Sequence, residues 1–253
     1  MNGGFTMLKV GIADYGMNQW YGGFYDYEQR MDDIKALGFD GLERLCPIDA
    51  ADALQKASIL AKKGMDFATC LAPTIEQKIQ WTAAFGKSYI WTDIIRAENL
   101  DVLCRRVNYL TETCKKYGIR AAMHNHLGTL VETQEQLETF LKACPDAGMV
   151  FDVGHLAVAG GNVREIMDKY YDRIEAIHLK GWVMKDPDQS NWQQRGYFCG
   201  LGQGNFPVDN EYVVKTALEK GFDKWIFIEH DTHLREPLED LAESREILRK
   251  WGI

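Results

Sequence analysis

Short apolar runs recur along the chain, each preceded by a stretch of helical spacing that ends in a glycine. The unit reads clearly in "IKALGFDGLERL", "ILAKKGMDFATCLA", "TAAFGKSYIWTDII", "TCKKYGIRAAMHNH" and "ALEKGFDKWIFIEHD". Gly38, Gly64, Gly86, Gly118 and Gly221 stand where a helix C-terminus favours a left-handed residue. Lysines often precede them, where a cation meets the negative end of the helix. Eight runs have strand character, at roughly 8–14, 40–45, 66–72, 88–94, 119–126, 148–153, 174–180 and 225–231. Between them, segments such as "QRMDDIKAL", "ADALQKASILAKK" and "DVLCRRVNYLTETCKK" carry the helical pattern.

Alternating strands and helices imply parallel pairing through crossover helices. Eight such units in 253 residues are the size of a (β/α)8 TIM barrel. The rival is a doubly wound open sheet, which usually opens with a glycine-rich phosphate turn. Here the turn after the first strand is "ADYGMNQWYGG", which is not GxGxxG. No linker or low-complexity segment divides the chain, so residues 1–253 are read as a single α/β barrel domain.

Composition narrows the function classes. Hydrophobic residues make up 46% and charged residues 26%, as in ordinary globular proteins. No run of 18 apolar residues indicates a membrane span, and "MNGGFTMLKVG" lacks the pattern of a secretory signal. The six cysteines form no CxxC pair and are expected to be reduced thiols of a cytoplasmic protein. A net charge of −8 with no basic cluster argues against nucleic acid as a partner.

Catalytic residues of such barrels sit at the C-terminal ends of the strands. Strand five ends "AMHNH", and alternation puts His124 and His126 on one face. Strand six ends at Asp152 with His155 just beyond, and strand seven offers His178 and Lys180 on one face. Strand eight offers Glu229 and Asp231 on one face with His230 opposed, and His233 follows. Strand two offers Glu43 or Arg44, with Glu43 an expected substrate contact, and strand four Trp91 and Asp93. A lone histidine at a strand end is usually a hydrogen-bonded surface group, and a lone acid there is often a helix N-cap. Metal-competent groups at the ends of four neighbouring strands make a stronger case. Carboxylates with an imidazole suit Mn, Mg or Co better than a thiolate-bound zinc. Glu132 precedes a capping box at Thr133–Gln136, where it is either a solvent-facing acid or a ligand reaching back over the mouth.

Together, "HNHLGTLVET", "FDVGHLAVAGGN", "HLKGW", "GLGQGNFPVD" and "IEHD" resemble the xylose-isomerase-like TIM barrels, especially the inosose dehydratase type. The likeness covers residues 119–231; the first 118 residues share only the barrel rhythm. The resemblance implies one divalent metal, Mn foremost, with Mg, Co or Zn as alternatives, held by residues of strands five to eight. Carried over, three ligands are Asp152, His178 and Glu229. The family's strand-five glutamate is replaced here by His124, so Glu132 is the expected fourth ligand and His124 the runner-up. With Glu132, three carboxylates would leave a net −1 around the ion. His155 and Lys180 are implied substrate contacts.

The implied chemistry is proton removal beside a carbonyl of a keto-sugar or keto-cyclitol, through an enediolate. β-Elimination by a lyase is expected, with His124 and His126 for proton transfer. The alternative is an isomerase or epimerase using Glu132 and Glu229. An alternative of another class is a non-catalytic sugar-binding barrel or partner subunit. Endonuclease IV-like repair is disfavoured by the net charge of −8. The long segment between strands seven and eight is expected to shape the substrate site, with Arg195 binding a hydroxyl or carboxylate. Trp20, Tyr21 and Tyr25 either stack on a sugar ring or pack on a second subunit, which leaves a homo-oligomer open.

Overall fold

Each of the eight apolar runs becomes a strand. In a computed structural model, which describes residues 8–13, 17–93, 95–232 and 234–253, they are β1 (Lys9–Ala13), β2 (Gly41–Leu45), β3 (Asp66–Cys70), β4 (Tyr89–Trp91), β5 (Arg120–His124), β6 (Gly148–Asp152), β7 (Ile174–Leu179) and β10 (Trp225–Glu229). The expected strand ends at 14 and 94, and His233, lie outside the described residues. All the pairings among these eight strands are parallel, in the order β3-β2-β1-β10-β7-β6-β5-β4. The sheet curls into a (β/α)8 TIM barrel whose terminal strands β3 and β4 meet without a backbone ladder among the described residues. There Thr69 Oγ1 donates to Tyr89 O at 2.7 Å and stitches the seam with a side chain.

The helices follow the sequence pattern because their ends are specified locally. Asp26, Asp49, Thr74, Asn99, Thr133 and Asn162 each accept a backbone N–H as N-cap, and Thr133 with Gln136 forms the expected capping box. The five glycines expected to end helices all have positive φ. Most of the apolar core lies between barrel and helices, where Leu137, Phe140, Ile166 and Val213 are fully buried. A second cluster fills the barrel itself, where Trp225 and Phe227 stack at 5.2 Å among Ala13, Ala68, Ala122 and Ala176. Large rings on one strand are matched by small residues on its neighbours. A Cβ at Gly11 would lie 2.6 Å from the Phe227 ring.

Sequence alternation did not reveal two further strands. Within the long segment after β7, β8 (Gly181–Met184) and β9 (Gly196–Cys199) form an antiparallel hairpin. Trp182 and Phe198 are buried there against Leu127 and Val158. The segment is therefore a packed structure beside the mouth.

Candidate active site

The barrel interior turns polar at the C-terminal ends of its strands. Glu43, Asp152, His178, Lys180 and Glu229 are all buried there, at 0–4% exposure. Register explains the convergence: Asp152 on β6 lies opposite His178 on β7, and Glu229 ends β10 opposite Ala13 of β1.

Asp152 divides its carboxylate. Oδ1 accepts from His155 N at 2.8 Å, capping the helix Val153–Val158. Oδ2 faces Lys180 Nζ at 2.9 Å, His124 Nε2 at 3.3 Å and His178 Nδ1 at 3.6 Å. Burial alone would raise its pKa, but Lys180 and His155 hold it well below the usual carboxylate range. Glu229 is likewise held low against burial by Lys180 and His178. Its Oε2 lies 2.8 Å from His178 Nδ1 and accepts from Lys180 Nζ at 2.7 Å. Burial works against a charge on Lys180, yet Asp152, Asp231 and Glu229 keep its pKa well above the ordinary lysine range. Gly154 makes room for the Lys180 stem, because a Cβ there would lie 2.4 Å from Lys180 Cγ.

The described residues bring His124, Asp152, His178 and Glu229 together, with one nitrogen or oxygen of each within 4.8 Å of the others. Glu132, the expected fourth ligand, lies outside this cluster. The loop after β5 closes on itself through His126 N to Val131 O at 3.1 Å, and Glu132 Oε2 accepts from Gly128 N at 2.9 Å. The carboxylate thus lines an outer cavity with Trp192 and Arg195 instead of the cluster. The strand-five position is filled by His124, whose pKa burial and His178 push down. Two imidazoles and two carboxylates fit a divalent ion, and their charge cancels it, without the net −1 expected with Glu132.

The other expected site residues divide into two groups. His126 lines a cavity of about 640 Å3 with His124, Trp91 and Asp93, and its ring lies 3.7 Å from that of His155. His155 Nδ1 accepts from Leu127 N at 3.5 Å, and its Nε2 is buried without a hydrogen-bond partner. Arg195 belongs to the outer cavity and donates to Val158 O at 3.4 Å. Trp20 is 42% exposed on the short helix Met17–Trp20. Tyr21 and Tyr25 pack against each other at a tilt, and their hydroxyls donate to Glu236 and Asp33 respectively. His230 points away from the site, toward Asp240 and Ser244.

Two contributors were not assigned a role from sequence. Asp231 Oδ2 accepts from Lys180 Nζ at 2.7 Å, and its parity with Glu229 was the available signal. Trp91, at the end of β4, packs at a tilt against His124, with ring centroids 4.4 Å apart.

Known proteins share this architecture. Residues 74–251 match the family described as xylose isomerase-like TIM barrel. An inosose dehydratase of Bacillus licheniformis is 30% identical over 152 residues, 56% of this chain and 51% of that protein. One of Bacillus velezensis is 26% identical over 219 residues, 83% of this chain and 71% of that protein. In the first of these the match spans about half the relative's length. Among solved structures, a probable 3-DHS dehydratase of Bacillus anthracis superposes with TM-score 0.73 at 13% identity, covering 95% of this chain and 98% of that one. A sugar phosphate isomerase/epimerase of Parabacteroides distasonis gives 0.72 at 16%, covering 100% and 99%. No helix among the described residues is long and apolar enough to cross a membrane. The matched span takes in β5, β6, β7 and β10, the strands that carry the cluster, and the chain belongs to the xylose isomerase-like TIM barrel family.

Proposed function

We propose that this chain is a divalent-metal-dependent enzyme of carbohydrate metabolism that removes the proton beside the carbonyl of a keto-sugar or keto-cyclitol and then eliminates a β-hydroxyl, as an inosose dehydratase does. The observation that carries this reading is the convergence of His124, Asp152, His178 and Glu229 at the mouth, next to His126 and Lys180. His124, Asp152, His178 and Glu229 would hold the ion, with manganese the preferred metal. Bound there, a divalent ion supplies the Lewis acidity that lets a protein base take so weak an acid's proton.

The remaining residues have separable tasks. His126 Nδ1 donates to Leu127 O at 2.7 Å, because a carbonyl can only accept. Its Nε2 therefore keeps a lone pair, on a ring that lines the cavity, and acts as the base. The departing hydroxyl needs a proton, and Lys180, kept cationic by three carboxylates, is the charged donor in the site. His155 offers Nε2–H as a substrate contact, since its Nδ1 is taken by Leu127 N. A hydrophobic wall of Trp91 and Met123 limits water on the cavity side.

An epimerase would place acids or bases on both faces of the substrate, and the Glu132 carboxylate is engaged by Gly128 N instead, which favours elimination. The test is NMR in deuterated water with a panel of keto-sugars and keto-cyclitols and Mn, Co or Mg. Solvent deuterium beside the carbonyl together with a dehydrated product is the expected result. Deuterium with an inverted or transposed substrate would make the protein an epimerase or isomerase, and no exchange with any substrate would leave the sugar-binding reading.

A further inference from the structure

We propose that Glu43 is a positioning residue that fixes the tautomer and orientation of His178 and thereby sets metal affinity. The sequence had suggested a substrate contact. This inference rests on the metal-site reading above.

Glu43 is fully buried on β2, 135 positions from His178, and does not line the 640 Å3 cavity. The His178 ring spans two environments. Nδ1 faces the ligand cluster, 2.8 Å from Glu229 and 3.6 Å from Asp152. Nε2 faces away, 2.9 Å from Glu43 Oε1. An ion on Nδ1 needs that nitrogen's lone pair, so the ring proton must sit on Nε2. There it is fully enclosed, and only an acceptor can satisfy it. Glu43 Oε1 is that acceptor. The carboxylate is itself held in place: Trp91 Nε1 donates to Oε1 at 2.9 Å, and Arg44 Nε lies 3.7 Å from Oε2. A carboxylate behind a ligand histidine makes the imidazole a stronger donor and stops it turning. Trp91 thus serves the site twice, anchoring Glu43 and packing against His124 with ring centroids 4.4 Å apart.

The experiment compares wild type with E43A, E43L and E43Q by titration calorimetry with Mn2+, without substrate. Loss of the acceptor in E43A and E43L should weaken Mn2+ binding about 10–100-fold. E43Q keeps an acceptor oxygen and should lie closer to wild type than either. E43L fills the vacated volume, so one acceptor-free variant remains if E43A does not fold. In Zn2+-loaded protein, the His178 Nε2–H proton should be protected from solvent exchange in wild type and lost from the spectrum in E43L. Unchanged Mn2+ affinity in the acceptor-free variants, with only a raised KM for substrate, overturns the proposal and makes Glu43 a substrate contact. Wild-type protein that binds no divalent ion overturns the metal reading itself, and this inference with it.

Discussion

At the scale of single residues, groups of the candidate site are used in more than one direction. Asp152 caps a helix with one oxygen and faces the cluster with the other. His126 is held by one nitrogen and free at the other. These divisions make substitutions separable. His126→Asn should leave Mn2+ affinity within about twofold and lower turnover about 10²–10⁴-fold, the usual share of a general base. Glu132→Gln should leave Mn2+ affinity unchanged, because Gly128 N engages its carboxylate. Calorimetry on both variants checks the pair, and a loss of Mn2+ binding in Glu132→Gln would return that residue to the ligand set. Asp152, His178 and Glu229 were legible in sequence because strand ends in a barrel point to one place. That His124 and not Glu132 joins them in one cluster was not, since it depends on a loop hydrogen bond that closes over only four residues. Glu43 was legible as a strand-end acid but not as a partner of His178, because the contact joins β2 to β7 across the barrel.

At the scale of elements, the helix ends were the most readable feature. A capping residue acts over three or four positions, and that local chemistry survives any tertiary context. Thr133 shows it: Oγ1 accepts from Gln136 N while the Gln136 side chain returns to Thr133 N at 2.9 Å. Thr133→Ala should cost about 1 kcal/mol of stability, read as a lowered urea midpoint with unchanged slope. The same change should leave metal affinity alone, since the cluster does not use this helix. The β8–β9 hairpin was the least readable element. Its strands have four residues each, and its register depends on close approaches that sequence does not display. A Cβ at Gly196, for example, would lie 2.0 Å from Val183 O.

At the scale of the whole molecule, the two ends of the barrel are built differently. The mouth gathers carboxylates and imidazoles, while the opposite end is tied by ion pairs. There Lys9 and Lys87 meet Asp66, and Arg120 and Lys224 meet Glu175. Burial raises the Asp66 pKa, but Lys87 and Lys9 outweigh it and hold the group below its ordinary value. The carboxylate therefore stabilises the fold at pH values above the ordinary aspartate range, and this contribution is lost as pH falls through the depressed value. Urea denaturation at neutral pH and near pH 3 should show a larger loss in wild type than in Asp66→Asn; equal losses would remove Asp66 from the acid response. The eight-fold alternation made the barrel legible in sequence, but it could not show where the ring is joined. Among the described residues seven backbone ladders run from β3 round to β4, and the last joint is made by side chains, the Thr69 hydroxyl on Tyr89 O and Lys87 on Asp66. The molecule is in this respect a split hoop, with its girth at the joint set by side-chain contacts and not by backbone hydrogen bonds. β6, β7 and β10, which carry Asp152, His178 and Glu229, are laced on both sides and lie away from the split. Backbone hydrogen bonds resist distortion at every joint but this one, so the spacing of those three side chains is held more firmly than the stretch of cavity wall that β4 supplies with Trp91.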